Sequence, residues 1–498
     1  MKEDVNTKKN LIKDSSSKYQ EEQIKSETLF LKQSKATIID KDKEQENEQE
    51  NQNQKSDIIK TYEESPSRFF ILVSYCFCLF ASGFQWLSFT SLPFFSYYYE
   101  LSQCKVDFFS LIYIIEYIVL FIPTMIFLEK LRTKDMFRIS SLCIIVGAFF
   151  KVFVNKDKYL SVCYIGQIIS GFSRPYLLMI PGKISADWFK ENLRNFICNI
   201  CLLSDIAGIL IGYIWNLAYI KEKENDKHDY RDHVYRYFLS EFILVLVLCI
   251  PALFIDESKP EKPSSPSKEN ELNKFNKKSL KMIFSNYKYI FILISMFFIG
   301  GFYYVMSMKF SYLVGIYTLD KKKSDLVYGI SITAGIVCSL IISFILDMYK
   351  KYKLFLIIFS LLGTISQIFL TFLLELVEKK DLNAYAICII FYIFINASVI
   401  TFYVNIINYI CEITYPVSEY ISIGFIVAAT QIYNLCGHFL YKHILENNEK
   451  KYICNIIFII FFFVSAVLCF FYENKLERYE IDKDEENHNK GEVIPFGI

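Results

Sequence analysis

The chain has 498 residues, 53% of them hydrophobic and 17% aromatic, with 21% charged and a formal net charge of +1. Residues 1–67 hold 27 charged side chains and residues 473–498 hold 12, so the 405 residues between keep 68 of 107 charges and 81 of 86 aromatics. That middle section is too apolar for a soluble enzyme domain or a disordered chain, and the balanced charge excludes a nucleic-acid binder with a strong basic field.

Residues 1–67 lack apolar mass and read as a disordered polar tail, with a small repeat in EQENEQENQNQ. No cleavable signal peptide is visible, so the first span is expected to act as the insertion signal. A helix needs about 20 mostly apolar residues to cross the hydrocarbon core. Six stretches reach that length with no ionisable residue: 69–95, 289–308, 326–346, 354–374, 382–411 and 452–472. Six more carry one or two: 107–128 (Glu116), 137–154 (Lys151), 159–182 (Arg174), 195–220 (Asp205), 237–256 (Glu241) and 418–441 (His438). The predicted architecture is therefore an all-α membrane protein of twelve transmembrane helices. A basic linker, 257–286, separates six spans (68–256) from six more (287–472), and residues 473–498 form a charged tail. The Lys/Arg bias of the short loops is weak, but its sign places both termini in the cytoplasm, with the plasma membrane as the default location.

The halves carry traces of a repeat. Trp86 in span one and Tyr303 in span seven are 217 residues apart, and each follows a glycine and an aromatic residue. Glu129 and Asp347 each close the second span of their half before a short basic loop, 218 residues apart. Each acid is placed to cap or pair with the basic residues beside it. Six plus six spans with a duplicated pattern resemble the major facilitator superfamily, in which two six-helix bundles rock about a central site.

A closer resemblance follows from Phe84-Gln85-Trp86, Val106-Asp107, Ser110-Leu111-Ile112-Tyr113, Gly166-Gln167, Pro181 with Trp188-Phe189, and Gly301-Phe302-Tyr303. The most specific stretch is Glu412-Ile413-Thr414-Tyr415-Pro416, then Ser418-Glu419 and Gln431-Ile432. These residues are similar, in order from about 69 to 440, to the feline leukaemia virus subgroup C receptor-related transporters. The resemblance implies facilitated transport of choline and ethanolamine, with haem export as an older assignment. It also implies an aromatic pocket for the ammonium head from Trp86 and Tyr303, with Gln431 at the polar end of the substrate. Physics supports such a pocket, because a quaternary ammonium donates no hydrogen bond and must be held by aromatic faces, each worth roughly 0.5–2 kcal/mol.

The chain departs from that family at three positions. Arg174 stands where the family has a glutamine, Glu116 replaces an alanine and Asp205 an asparagine. Lys309 lies six residues beyond Tyr303. Charges at midplane depth are costly and are usually paired or functional. One expectation is that Arg174 pairs with Glu116 or Asp205, leaving choline binding intact. The other is a changed cargo, anionic or zwitterionic, held by Arg174 with an acid carrying a coupling proton.

Other candidates point elsewhere. Asn396, Asn405 and Asn408 fit either a cavity wall or helix glue. Gly208 and Gly212 form a GxxxG, read as close helix packing. His438 is a lone span histidine, read as hydrogen-bonded or water-facing. Cys198 and Cys201 form a CxxC in a membrane setting unsuited to redox chemistry. His228 and Asp232 read HxxxD, an acyltransferase-like pattern, but in a hydrophilic loop, so no enzyme is expected. No cofactor or metal is expected, and the partners are a small solute and the bilayer, with no nucleic acid and a monomeric carrier.

Overall fold

The computed structural model describes residues 65–491, apart from 90–94, 96–98, 156–159, 220–226, 258–259, 261–263, 270, 273, 316–320, 377–381 and 447–451. Long apolar runs become helices because a chain in lipid must satisfy its backbone groups within itself. The first bundle contains α1 (Arg68–Trp86), α2 (Gln103–Lys130), α3 (Thr133–Val152), the broken span α4 (Leu160–Gly171), α5 (Arg174–Met179) and α6 (Pro181–Trp188), α7 (Glu191–Tyr219) and α8 (Lys227–Leu253). The linker carries two short helices, α9 (Pro266–Glu269) and α10 (Lys277–Ser285). The second bundle is α11 (Tyr287–Gly315), α12 (Lys321–Tyr349), α13 (Tyr352–Leu376), α14 (Leu382–Ile413), α15 (Glu419–Glu446) and α16 (Tyr452–Phe470), followed by α17 (Glu477–Gly491).

Among the described residues, ten helices are long and apolar enough to cross a membrane. The two remaining spans have physical reasons to differ. Helix α3 carries Lys134, Asp135, Arg138 and Lys151 within 20 residues. The stretch 159–182, expected as one helix, breaks twice, with Pro175 and Pro181 each in the first turn of the piece that follows. A proline there gives up an N–H that a helix start leaves unpaired anyway. The HxxxD pair lies in the opening turns of α8 rather than in a loop.

Small residues set how closely the helices approach. A Cβ on Gly208 would run into the Phe80 carbonyl, and one on Gly212 would lie 2.9 Å from the Phe84 carbonyl oxygen. The GxxxG of α7 thus packs directly on the α1 backbone. The two bundles meet along α7 against α12 and α2 against α15. Asn405 and Asn408 of α14 act as glue at this interface: Asn199 of α7 donates to Asn405 Oδ1 at 2.8 Å and accepts from Asn408 at 2.7 Å. Asn396 donates to Ser331 Oγ of α12 at 2.9 Å.

The face of the molecule that carries the linker is tied by charge. Asp347 takes the Asn195 and Phe196 amides in the opening turns of α7 at 3.2 and 2.7 Å, and Lys350 sits 3.1 Å away. A carboxylate near a helix N-terminus meets exposed amides and the positive end of the dipole. Its counterpart Glu129 accepts the Phe275 amide of the linker at 3.3 Å. Composition alone marks 473–498 as a charged tail, yet Arg478 and Asp482 of α17 are buried. Arg478 reaches Glu419 at 2.7 Å and Asp482 reaches Arg194 at 3.1 Å. Lys268 of the linker lies 2.9 Å from Asp187 and 3.0 Å from Glu419, and also contacts Glu271. Burial alone would push the Asp187 carboxyl up, but the Lys183 and Lys268 ammonium groups outweigh it and hold it below the ordinary range. Glu271 goes the other way, raised by burial and then by the neighbouring Glu419 charge.

Candidate functional site

The site is built on the last turn of α1. Gln85 is fully buried and acts as a polar hub: its Oε1 accepts from Ser170 Oγ at 2.6 Å and from Lys151 Nζ at 3.0 Å, and its Nε2 donates to the Ile144 carbonyl at 3.1 Å. These contacts fasten α1 to α3 and α4. Trp86, the next residue, is 1% exposed and donates its indole N–H to the Ser110 carbonyl of α2 at 3.0 Å. Gln167 donates to the Trp86 and Phe109 carbonyls at 3.4 and 3.1 Å. The indole N–H and the backbone carbonyl of Trp86 are thus each fixed by a neighbour.

Arg174 enters at the break between α4 and α5. Its guanidinium forks onto Asp205, Nη1 to Oδ1 at 2.6 Å and Nη2 to Oδ2 at 2.9 Å. Nη1 also lies 3.4 Å from Ser82 Oγ, and the guanidinium carbon sits 5.5 Å from the centroid of the Trp86 ring. Both charged residues are 3% exposed. Their meeting follows from the α1–α7 packing. Gly83 leaves room for Asp205, whose Oδ1 would be 2.8 Å from a Cβ at that position. Of the two acids expected to pair with Arg174, the structure selects Asp205. Glu116 is half-buried on α2, and its carboxylate occupies the space that a Gly171 side chain would fill.

Tyr303 and Gln431 lie in the second bundle. Tyr303 is buried on α11, with its ring 5.8 Å from Tyr403 and 29° between the planes. Gln431 is buried on α15, which presses onto α11 because Gly300 and Gly301 have no side chains. A Cβ on Gly300 would be 2.5 Å from Thr430 Cγ2, and one on Gly301 would collide with Tyr433. The side chain of Lys309 lies outside the described residues. Trp86, Arg174 and Asp205 therefore form one cluster, and Tyr303 and Gln431 belong to a second element pair across the bundle boundary.

A profile described as Major Facilitator Superfamily matches residues 71–419. The chain belongs to that superfamily. It is 23% identical over 425 residues to the human choline/ethanolamine transporter FLVCR2, covering 83% of this chain and 78% of that one. It is 24% identical over 430 residues to the choline/ethanolamine transporter FLVCR1 of Felis catus, covering 84% and 75%. Among solved structures it is similar to the superfamily transporter FucP in the outward conformation, with a TM-score of 0.60, 14% identity, and coverage of 81% and 98%. It is also similar to the proton:xylose symporter XylE, with a TM-score of 0.63, 15% identity, and coverage of 84% and 99%. As a superfamily member this is a multi-pass membrane transporter that moves a small molecule by alternating access between its two bundles.

Two buried pairs were not assigned a role from sequence. Lys151 of α3 and Glu241 of α8 are 3.3 Å apart with fully buried side chains. Asp107 of α2 and His438 of α15 meet across the bundle boundary at 3.6 Å, so the lone histidine has an acidic partner. A signal for the first pair was present in the sequence, because Lys151 and Glu241 are opposite charges within apolar spans of the same half.

Proposed function

We propose that this chain carries choline, ethanolamine or both down their gradients across the plasma membrane, as a monomer with both termini cytoplasmic. The observation that carries the reading is the Arg174–Asp205 fork. It cancels two of the charges that set the chain apart from its relatives, so an ammonium head meets a neutral pair beside the Trp86 ring. The relatives named choline/ethanolamine transporters support the same cargo. Trp86 and Tyr303 are assigned to the ammonium head and Gln431 to the hydroxyl end. An anionic cargo held by Arg174 is disfavoured, because Asp205 already takes both of its terminal nitrogens.

Proteoliposomes containing the purified protein should take up labelled choline or ethanolamine without an imposed ion gradient. W86A and Y303A should each cut initial uptake at least tenfold at equal protein level. Uptake of an anionic metabolite with neither amine moving or competing would reject the assignment.

A further inference from the structure

We infer that Arg174 is a resident cation of the aromatic site, and that it sets substrate affinity by occupying the Trp86 face an ammonium would use. This rests on the reading of Trp86 as an ammonium-binding surface. A guanidinium within about 6 Å of a Trp centroid makes the same cation–π contact that holds a quaternary amine. Arg174 lies at 5.5 Å, held there by the two bonds to Asp205 and the Ser82 hydroxyl. The geometry is that of an intramolecular competitor. For an incoming ammonium to reach this face, the guanidinium must swing off the ring, with Asp205 as the counter-charge for both cations. A site open only part of the time binds more weakly in proportion to its open fraction. The pair also explains why the charge can persist next to a cation site: Asp205 keeps the resting site neutral, and an entering ammonium contests both the ring and the single carboxylate.

The consequence is specific to this chain's residues. R174Q/D205N replaces the charged pair by an amide pair of similar size, which keeps a hydrogen bond but uncovers the ring. R174Q alone leaves a carboxylate beside an uncovered ring. The chain has only three tryptophans, Trp86, Trp188 and Trp215, so W188F/W215F leaves Trp86 as the sole indole emitter. Titrating that background with tetramethylammonium chloride reads occupancy of the ring directly, whether or not choline is carried.

The expected result is at least fivefold tighter tetramethylammonium binding in R174Q/D205N, with a choline KM that falls more than kcat changes. Added guanidinium chloride at low millimolar concentration should restore the weaker binding in the variant and do little to the parent. Where the double variant does not fold, R174Q is titrated instead, and the same tightening is expected. Unchanged or weaker binding in a folded variant overturns the inference. Tighter binding in the variant alongside no choline or ethanolamine uptake by the parent leaves the inference standing and rejects the proposed cargo.

Discussion

Removing the Asp482 carboxylate should loosen α17 from the linker face. Asp482 accepts three bonds: from Arg194 Nη1 at 3.1 Å, the Ser267 amide at 2.8 Å and Ser267 Oγ at 3.0 Å. The Arg194 and Asp482 side chains are only 7% and 2% exposed, so D482A strands a guanidinium that keeps only Ser265 Oγ at 3.0 Å among the contacts described here. Breaking a buried pair by deleting one partner costs ~3–5 kcal/mol. At about 1.4 kcal/mol per tenfold, the lower figure is roughly a 100-fold shift toward the undocked helix. Hydrogen exchange of the α17 amides reads that equilibrium. Protection should fall on the order of 100-fold around Asp482 and less near Arg478, which Glu419 still holds at 2.7 Å. K475A is the internal control, since Lys475 and Glu480 are 60% and 50% exposed and 3.5 Å apart. An exposed pair of that kind contributes little. If D482A loosens α17 no more than K475A does, the tail is not held by buried charge and the reasoning fails.

Three further outcomes follow from the same geometry. K151M should abolish monodisperse expression by stranding Glu241 and one acceptor bond of Gln85, and K151M/E241L should recover it, as checked by size exclusion in detergent. G208A should lower the melting temperature, because its methyl group meets the Phe80 backbone and overpacking costs typically ~1–3 kcal/mol. G329A should not lower that temperature, because the nearest atom to its new methyl is 4.0 Å away and alanine favours a helix interior over glycine. E271Q should stabilise the protein at neutral pH. The folded Glu271 carboxyl is raised by burial and by the Glu419 charge, so wild-type stability falls as pH rises from the ordinary value near ~4.3 through the folded one. The E271Q advantage therefore grows with pH and levels off above that window. A pH-independent difference in melting temperature would reject it.

The parts of the fold legible in sequence are those set by local composition. Apolar run length predicts the spans, and Gly208 with Gly212 predicts a close crossing that the α1 backbone fills. Continuity of the fourth span was not legible from hydropathy, which cannot weigh Pro175 and Pro181 against their apolar neighbours. Nor was burial of the linker and tail. Lys268, Arg478 and Asp482 look like solvated charges in any local window, and each is buried against a partner that is distant in the chain: Asp187 for Lys268, Glu419 for Arg478 and Arg194 for Asp482.

Arg174 shows both sides of that limit. A lone arginine at midplane depth must have a counter-charge, which the sequence implies without choosing between Glu116 and Asp205. The choice is geometric. The break after Gly171 redirects the chain into α5, which brings Arg174 to Ser82, and Gly83 lets α7 carry Asp205 up to α1. The same two features bring the guanidinium over Trp86. Substituting Gly83 should therefore act on the ion pair and the ring together. G83A pushes Asp205 away from α1, and the tetramethylammonium affinity of the single-tryptophan protein should change along with its stability. If G83A lowers stability while leaving that affinity intact, then ring coverage does not depend on where Asp205 is held, and the α1–α7 contact is packing alone.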